Sequence, residues 1–308
     1  MNDQTKSTSV PTPTQLVPPS VNEEQLVPQV AVNDNPLASY FRTPKIQLEL
    51  PTKGKFWPEG TLELKTDGML DVLSMTARDE IIMKSPEGLL SGSSVTETIQ
   101  SCIPGIKNAH TMPSHDIDSC LIAIRIASYG HDLGITTTCP HCKEPNEHRI
   151  DLRVLLDSIP KGTIQHIHNI GDLTFEFMPY DWAFVNENNR RTYEGEKQMR
   201  SLVDAEMGDE EKRNILKSMF NKLTIESISS ISLAIQKINA NGQGVTNKNQ
   251  ITEFVNKADR DLIELIRKKI TLMNDAVTYP PIELKCENAK CLKTYPKTVE
   301  FNQTTFFE

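Results

Sequence analysis

Two short cysteine pairs, Cys139-Pro-His-Cys142 and Cys286-Glu-Asn-Ala-Lys-Cys291, constrain this chain more than any other feature. A strand-like run enters each pair: Ile135-Thr136-Thr137-Thr138 before the first, Pro281-Ile282-Glu283-Leu284 before the second. A polar turn leaves each pair, and a second strand-like run follows, Glu147-His148-Arg149-Ile150 and Lys297-Thr298-Val299-Glu300-Phe301. Two hairpins that each present two thiolates at the tip are the halves of a tetrahedral four-cysteine zinc site. The expected ligands are Cys139, Cys142, Cys286 and Cys291, with His141 and His148 as substitutes should one cysteine be free. Four thiolates leave no coordination position open for water or substrate, so the expected Zn²⁺ is structural. It would tie together residues far apart in the chain, the geometry in which a cross-link removes most entropy from the unfolded state.

Two rival readings use the same residues. Cys-Pro-His-Cys is also a dithiol pattern of disulfide oxidoreductases, which place the first cysteine at the start of a long helix whose dipole lowers the thiol pKa. Here Lys143-Glu144-Pro145-Asn146 follows, a turn in which Pro145 obstructs a helix. The second rival is a zinc-ribbon nucleic-acid binder, for which Lys285, Lys290, Lys293, Tyr295 and Lys297 supply a small basic and aromatic cluster. The net charge of −8 argues against a general nucleic-acid surface. Clustered cysteine spacing fits metal in a reducing cytoplasm better than a disulfide framework. The longest apolar stretch, Cys120 to Ile124, ends at Arg125 and is far too short to span a membrane.

The pattern divides the chain into four parts: residues 1–37, a disordered N-terminal arm; 38–160, an α+β body with the first zinc hairpin; 161–276, a β-hairpin and helical insertion; and 277–308, the second zinc hairpin closing the body. The arm is rich in Pro, Ser, Thr, Gln and Asn and repeats Leu-Val-Pro at Leu16 and Leu26. Ile46-Gln47-Leu48-Glu49-Leu50 alternates as a half-buried strand, Pro51 to Lys55 is a turn, and Leu62-Glu63-Leu64 is a second strand. Thr76-Ala77-Arg78-Asp79 and Ser94-Val95-Thr96-Glu97 have the form of capping boxes opening two helices, stopped at Pro86 and before Pro104. A third helix follows Pro113-Ser114 with the stripe Ile117, Cys120, Leu121, Ile124 and a stop at Gly130; Asp151 caps a short fourth.

In the insertion, Ile164 to Ile167 and Leu173 to Phe177 suggest a hairpin around Gly171-Asp172, with His166 and His168 as ordinary strand histidines. From Asp181 to Ala276 the expectation is helical throughout. Three stripes carry it: Ile215, Leu216, Met219, Phe220 and Leu223; Ile228, Ile231, Ile235 and Ile238; and Leu262, Ile263, Ile266, Ile270 and Met273. Asn241-Gly242-Gln243-Gly244 is read as an interhelical loop. The terminal Phe306-Phe307 either packs on the zinc knuckle or meets another subunit. No phosphate loop, dinucleotide fingerprint, nucleophile elbow or zinc-protease helix occurs, which favours a non-enzymatic structural or assembly protein.

Several runs together carry a resemblance. They are Asn35-Pro36-Leu37-Ala38-Ser39-Tyr40-Phe41-Arg42, Leu50-Pro51-Thr52-Lys53-Gly54-Lys55-Phe56-Trp57-Pro58-Glu59-Gly60, Met75-Thr76-Ala77-Arg78-Asp79-Glu80, Ile124-Arg125-Ile126-Ala127-Ser128-Tyr129-Gly130, the first cysteine hairpin and Ile150-Asp151-Leu152. In this order they resemble the baseplate hub assembly family of T-even-type contractile-tailed bacteriophages. The likeness covers residues 35–160 and the closing cysteine pair with its Phe-Phe; the insertion is similar in general character. The resemblance implies a viral protein made in the host bacterial cytoplasm, with other baseplate hub or wedge proteins as partners. Both a resident of the virion tail and an assembly chaperone that leaves it are compatible with that family. The Cys-x₄-Cys spacing at Cys286 departs from a tight Cys-x₂-Cys knuckle.

Overall fold

The computed structural model describes residues 35–162, 164–204, 208–299 and 306–307, apart from a few side chains within α2, α6 and α7. Most of the 1–37 arm, with both Leu-Val-Pro repeats, therefore lies outside the described residues. Residues 35–41 form a short 3-10 turn, Ala38–Tyr40. The rest of the chain, Arg42–Glu308, is one compact unit and carries the site.

Its first core is built around one helix. Strand β1 (Pro44–Leu48) pairs antiparallel with β2 (Leu70–Leu73), Ile46 opposite Val72 and Leu48 opposite Leu70. The expected partner Leu62-Glu63-Leu64 is not a strand; Leu62 makes only an isolated bridge to Ile106. Its two leucines are half-buried against the core, so an alternation of three residues is satisfied by a packed loop as well as by a ladder. Helix α1 (Ala77–Met83) starts at the expected capping box, with Asp79 N–H donating to the Thr76 hydroxyl and the Asp79 carboxylate accepting from Thr76 N–H. Pro86 ends that segment and also opens α2 (Pro86–Ser91), since its missing N–H costs nothing in a first turn. Helix α3 (Ser93–Cys102) begins one residue before the second proposed box, at Gly92 with no side-chain cap; the Ser94 hydroxyl donates instead to the Ile82 carbonyl at 2.7 Å.

Helix α4 (Ser114–Tyr129) is central. Beyond the expected stripe, Ser119, Ile122, Ala123 and Arg125 are buried too, so the helix is enclosed on every side from Ser119 to Arg125, Asp118 before it being exposed. Its buried Asp116 accepts from Thr52 N–H at 3.0 Å, the Thr52 hydroxyl at 2.5 Å and Trp57 Nε1 at 2.8 Å, which fixes the Pro51 turn to the helix. Burial raises the Asp116 carboxyl to about 6, against the lowering effect of those donors. Phe306 and Phe307 are buried in this same core, and Arg125 Nε donates to the Phe306 carbonyl at 2.8 Å. Both alternatives expected for the Phe-Phe pair are thereby corrected: the two rings, edge-on to each other, are buried members of the α4 core.

Next come the hairpin β3 (Asp132–Thr138) and β4 (Pro145–Asp151), then α5 (Leu152–Ser158), capped by Asp151 as expected. The insertion forms a second core on a four-stranded antiparallel sheet in the order β5-β6-β7-β8. Its strands are β5 (Ile167–Ile170), β6 (Leu173–Phe177), β7 (Ile235–Ala240) and β8 (Gln243–Val245). Helices α6 (Trp182–Asp204) and α7 (Asp209–Ala234) lie between β6 and β7; α8 (Lys248–Lys257) and α9 (Arg260–Asp275) follow β8. The chain from 181 to 276 is thus not helical throughout. Ile235 and Ile238 sit on β7 opposite Phe177 and Phe175, not on the stripe of Ile228 and Ile231. Asn241-Gly242 is a two-residue hairpin turn with φ of 51° and 79°, the left-handed pair that a type I′ turn needs. Helix α9 buries Ile266, Ile270 and Met273 as expected, whereas Phe220 and Leu223 lie outside the described side chains. His166 packs edge-on against Phe56 and His168 meets the Gln165 carbonyl, ordinary roles for both. The chain ends through β9 (Ile282–Lys285) and β10 (Thr294–Lys297), the latter starting three residues earlier than expected.

Candidate metal centre

The two cysteine hairpins meet face to face. In β3 and β4 the inward side carries Ile135, Thr137, Asn146 and His148; in β9 and β10 it carries Leu284 and Tyr295, which pair across the ladder. Tyr295 joins the hairpins: its hydroxyl lies 2.7 Å from the Thr137 hydroxyl and 3.2 Å from His148 Nε2. Asn146 adds a second link, its Oδ1 accepting from Glu287 N–H at 2.7 Å. A small apolar cluster of Cys139, Leu284, Cys286 and Tyr295 seals the junction.

Both knuckles follow one backbone plan despite their different lengths. In the first, Cys139 N–H donates to the Glu144 carbonyl at 3.0 Å, and Lys143, just before that carbonyl, has φ of 63°. In the second, Cys286 N–H donates to the Lys293 carbonyl at 2.9 Å, and Leu292, again just before it, has φ of 52°. The wider Cys-x₄-Cys spacing is absorbed by a further turn in which Cys291 and Leu292 N–H both donate to the Asn288 carbonyl. No helix follows Cys142, so the dipole that a redox dithiol exploits is missing.

The geometry brings the four sulfurs together, all within 4.8 Å of one another. Cys139 and Cys286 are buried, Cys142 and Cys291 half-buried. Cys142 Sγ lies 3.6 Å from Cys286 Sγ, and Cys139 Sγ lies 3.9 Å from Cys291 Sγ. Zinc–sulfur bonds of about 2.3 Å in a tetrahedron separate the sulfurs by about 3.8 Å, so the observed spacing suits such an ion. The spacing is also far beyond the roughly 2 Å of a disulfide bond. Burial would raise the Cys139 thiol, but the amides of Cys142 and His141 donate to it and bring it down to about 7. At Cys142 the Glu144 amide lowers the thiol, yet burial and the neighbouring sulfurs prevail and raise it to about 12. A cluster with no cation resists carrying four adjacent negative charges; a divalent cation removes that conflict. Neither histidine named as a substitute belongs to the cluster: His141 is exposed and His148 is engaged with Tyr295. The other two cysteines lie elsewhere in the first core; burial and the Asp79 charge push Cys102 up to about 12, and burial pushes Cys120 well above the ordinary range. Tyr295 and Asn146 were not singled out from sequence as parts of the junction, because their role exists only when two distant hairpins meet.

The described residues thus place four sulfurs in one cluster on a small α+β body and include no helix long and apolar enough to cross a membrane. Residues 41–308 match the family model described as T4 bacteriophage base plate protein, and the chain belongs to that family. No curated protein and no solved structure gives a match.

Proposed function

We propose that this protein is a non-enzymatic hub or hub-assembly component of the phage tail baseplate, made in the host cytoplasm, whose clasp holds one structural Zn²⁺ on Cys139, Cys142, Cys286 and Cys291. The observation that carries the reading is the sulfur cluster itself, drawn from hairpins 144 and 152 residues apart and closed to further ligands. When bound, zinc supplies a fourfold cross-link and no reaction. The protein's own residues do the rest: Tyr295, Thr137, His148 and Asn146 align the hairpins, and the amides of His141, Cys142 and Glu144 point at the sulfurs of the first knuckle.

The working surface in this proposal is the insertion of residues 161–276, docking on other hub or wedge proteins. Its second core is drawn from Ile164 to Val277, while the first draws on residues up to Ile159, on Trp182 at the start of α6, and again from Val299. Helix α6 is exposed along most of 188–200, and Tyr193, Ile225, Leu265 and Leu272 leave large apolar side chains in solvent. Helix faces of this kind are a common mode of protein recognition. Two measurements test the proposal. Elemental analysis of protein purified without added metal should find zinc in about equimolar amount. A chain with residues 181–276 replaced by a short linker should fail to complement a phage lacking the protein; infectious particles from that chain would move recognition to the clasped body.

A further inference from the structure

The two sulfur pairs in hydrogen-bond geometry run across the hairpins, although Cys142 also lies within reach of Cys139 in its own knuckle, and this bears on what an oxidant does to the clasp. We propose that the clasp is an oxidation site at which a hydroperoxide exchanges the metal for disulfides linking the two hairpins, Cys142 to Cys286 and Cys139 to Cys291. The metal part rests on the zinc reading above; the pairing rests on geometry alone. Each pair joins one half-buried sulfur, Cys142 or Cys291, to one buried sulfur, Cys286 or Cys139. The partners already touch, at 3.6 Å and 3.9 Å, and need only approach by about 1.5–2 Å to reach bonding distance.

The steps balance. Cys142, which a bound cation would hold as the thiolate, attacks hydrogen peroxide: an S–O bond forms, the O–O bond breaks and hydroxide leaves. The Cys286 thiolate then attacks the sulfur of that sulfenic acid: S–S forms, S–O breaks and a second hydroxide leaves. Two thiolates are oxidised by two electrons and one peroxide is reduced. A disulfide is a poor zinc ligand, so a cation held there would be released, and a second peroxide converts Cys291 and Cys139 in the same way. The hairpins remain aligned throughout, because the Tyr295–Thr137 and Asn146–Glu287 bonds involve no sulfur. The fold therefore keeps its long-range tie when the metal leaves, the tie becoming covalent.

The test uses the full chain purified under reducing conditions, then freed of reductant and titrated with hydrogen peroxide. Zinc release is followed with a chromogenic chelator, free thiols are blocked, and non-reduced tryptic peptides are sequenced by mass spectrometry. Trypsin cuts after Lys290 and so separates Cys286 from Cys291. The expected result is zinc release in step with thiol loss, cross-hairpin peptides as the dominant products, and recovery of binding after reduction with zinc present. In a Cys139→Ser chain, Cys142 should pair with Cys286 rather than Cys291. Dominant Cys139–Cys142 and Cys286–Cys291 products, or sulfinic acids without disulfide, would overturn the proposal. The same oxidation run on chelator-treated protein separates the two readings: absence of zinc in the purified chain defeats the metal assignment, whereas wrong pairing in either preparation defeats the oxidation site.

Discussion

The two cores of this protein are built from different materials. The core around α4 encloses charge: Asp79, Asp116 and Arg125 are all buried there. Asp79 meets Arg42 at 3.3 Å, Asp116 accepts three donors, and Arg125 holds the Phe306 carbonyl. The insertion core contains no buried charge among its described residues, and Ser232 is its one buried polar side chain there. It is packed from isoleucine, phenylalanine, valine and methionine on a four-stranded sheet. Apolar burial is strong but has no direction, so it tolerates repacking; buried hydrogen-bonded charge has direction and penalises every arrangement but one. The region that must bring two distant hairpins into register is the one that uses directional contacts.

The largest test of this contrast is removal of a clasp thiol. Cys142→Ser and Cys286→Ser should each abolish metal binding and lower the melting temperature by on the order of 10 °C, as a loss of about 4 kcal/mol does in a chain of this size. The double variant should be little worse than either single one, since both open the same tie. Simple addition of the two losses in calorimetry would mean that the knuckles act separately.

Next come the two aromatic and aliphatic plugs. Phe307→Ala should cost about 3–5 kcal/mol in the α4 core and Ile266→Ala about 2–5 kcal/mol in the insertion core. Both tryptophans, Trp57 and Trp182, belong to the α4 side. Tryptophan fluorescence should therefore move with Phe307→Ala, while Ile266→Ala should move the circular dichroism transition more than the fluorescence one. Identical shifts in both signals for both variants would make the two cores a single cooperative unit.

Asp116 supplies a test by pH. Its folded value of about 6 lies above the ordinary 3.8, so the folded chain holds this proton more tightly than the unfolded one. The stability it contributes is fully present below the unfolded value and is lost as pH rises from about 4 to about 6, by about 3 kcal/mol. Asp116→Asn cannot titrate and should lack that decline, at the cost of misplacing an amide among the donors of Thr52 and Trp57. Chemical denaturation of both proteins across this range decides it; parallel curves would remove Asp116 as the cause. The smallest effects should come from local devices, one in each region. Thr76→Ala, which removes a cap on α1, and Gly242→Ala, which strains a left-handed turn, should each cost about 1 kcal/mol.

Features that depend on neighbours in the chain were legible without a structure. The cysteine hairpins, the Thr76 box, the Asp151 cap, the Gly130 stop and the apolar face of α9 all follow from residues within one or two turns of each other. The β7 strand was misread because Ile228, Ile231, Ile235 and Ile238 continue a helical spacing straight across the boundary, with no Gly or Pro to mark it. The available signal was Asn241-Gly242, the strongest short hairpin turn, which ties Ala240 to Gln243.

Sequence by itself marked the two cysteine pairs, because thiolate chemistry and knuckle spacing are local properties; their meeting is tertiary. Only the tertiary structure decided that Phe306 and Phe307 complete the α4 core, that Asp116 anchors the Pro51 turn, and that Tyr295 and Asn146 lock the hairpins. These contacts join residues more than sixty positions apart. Their energy comes from desolvation and from hydrogen bonds made inside a low-dielectric interior, which exists only once the distant segments have packed.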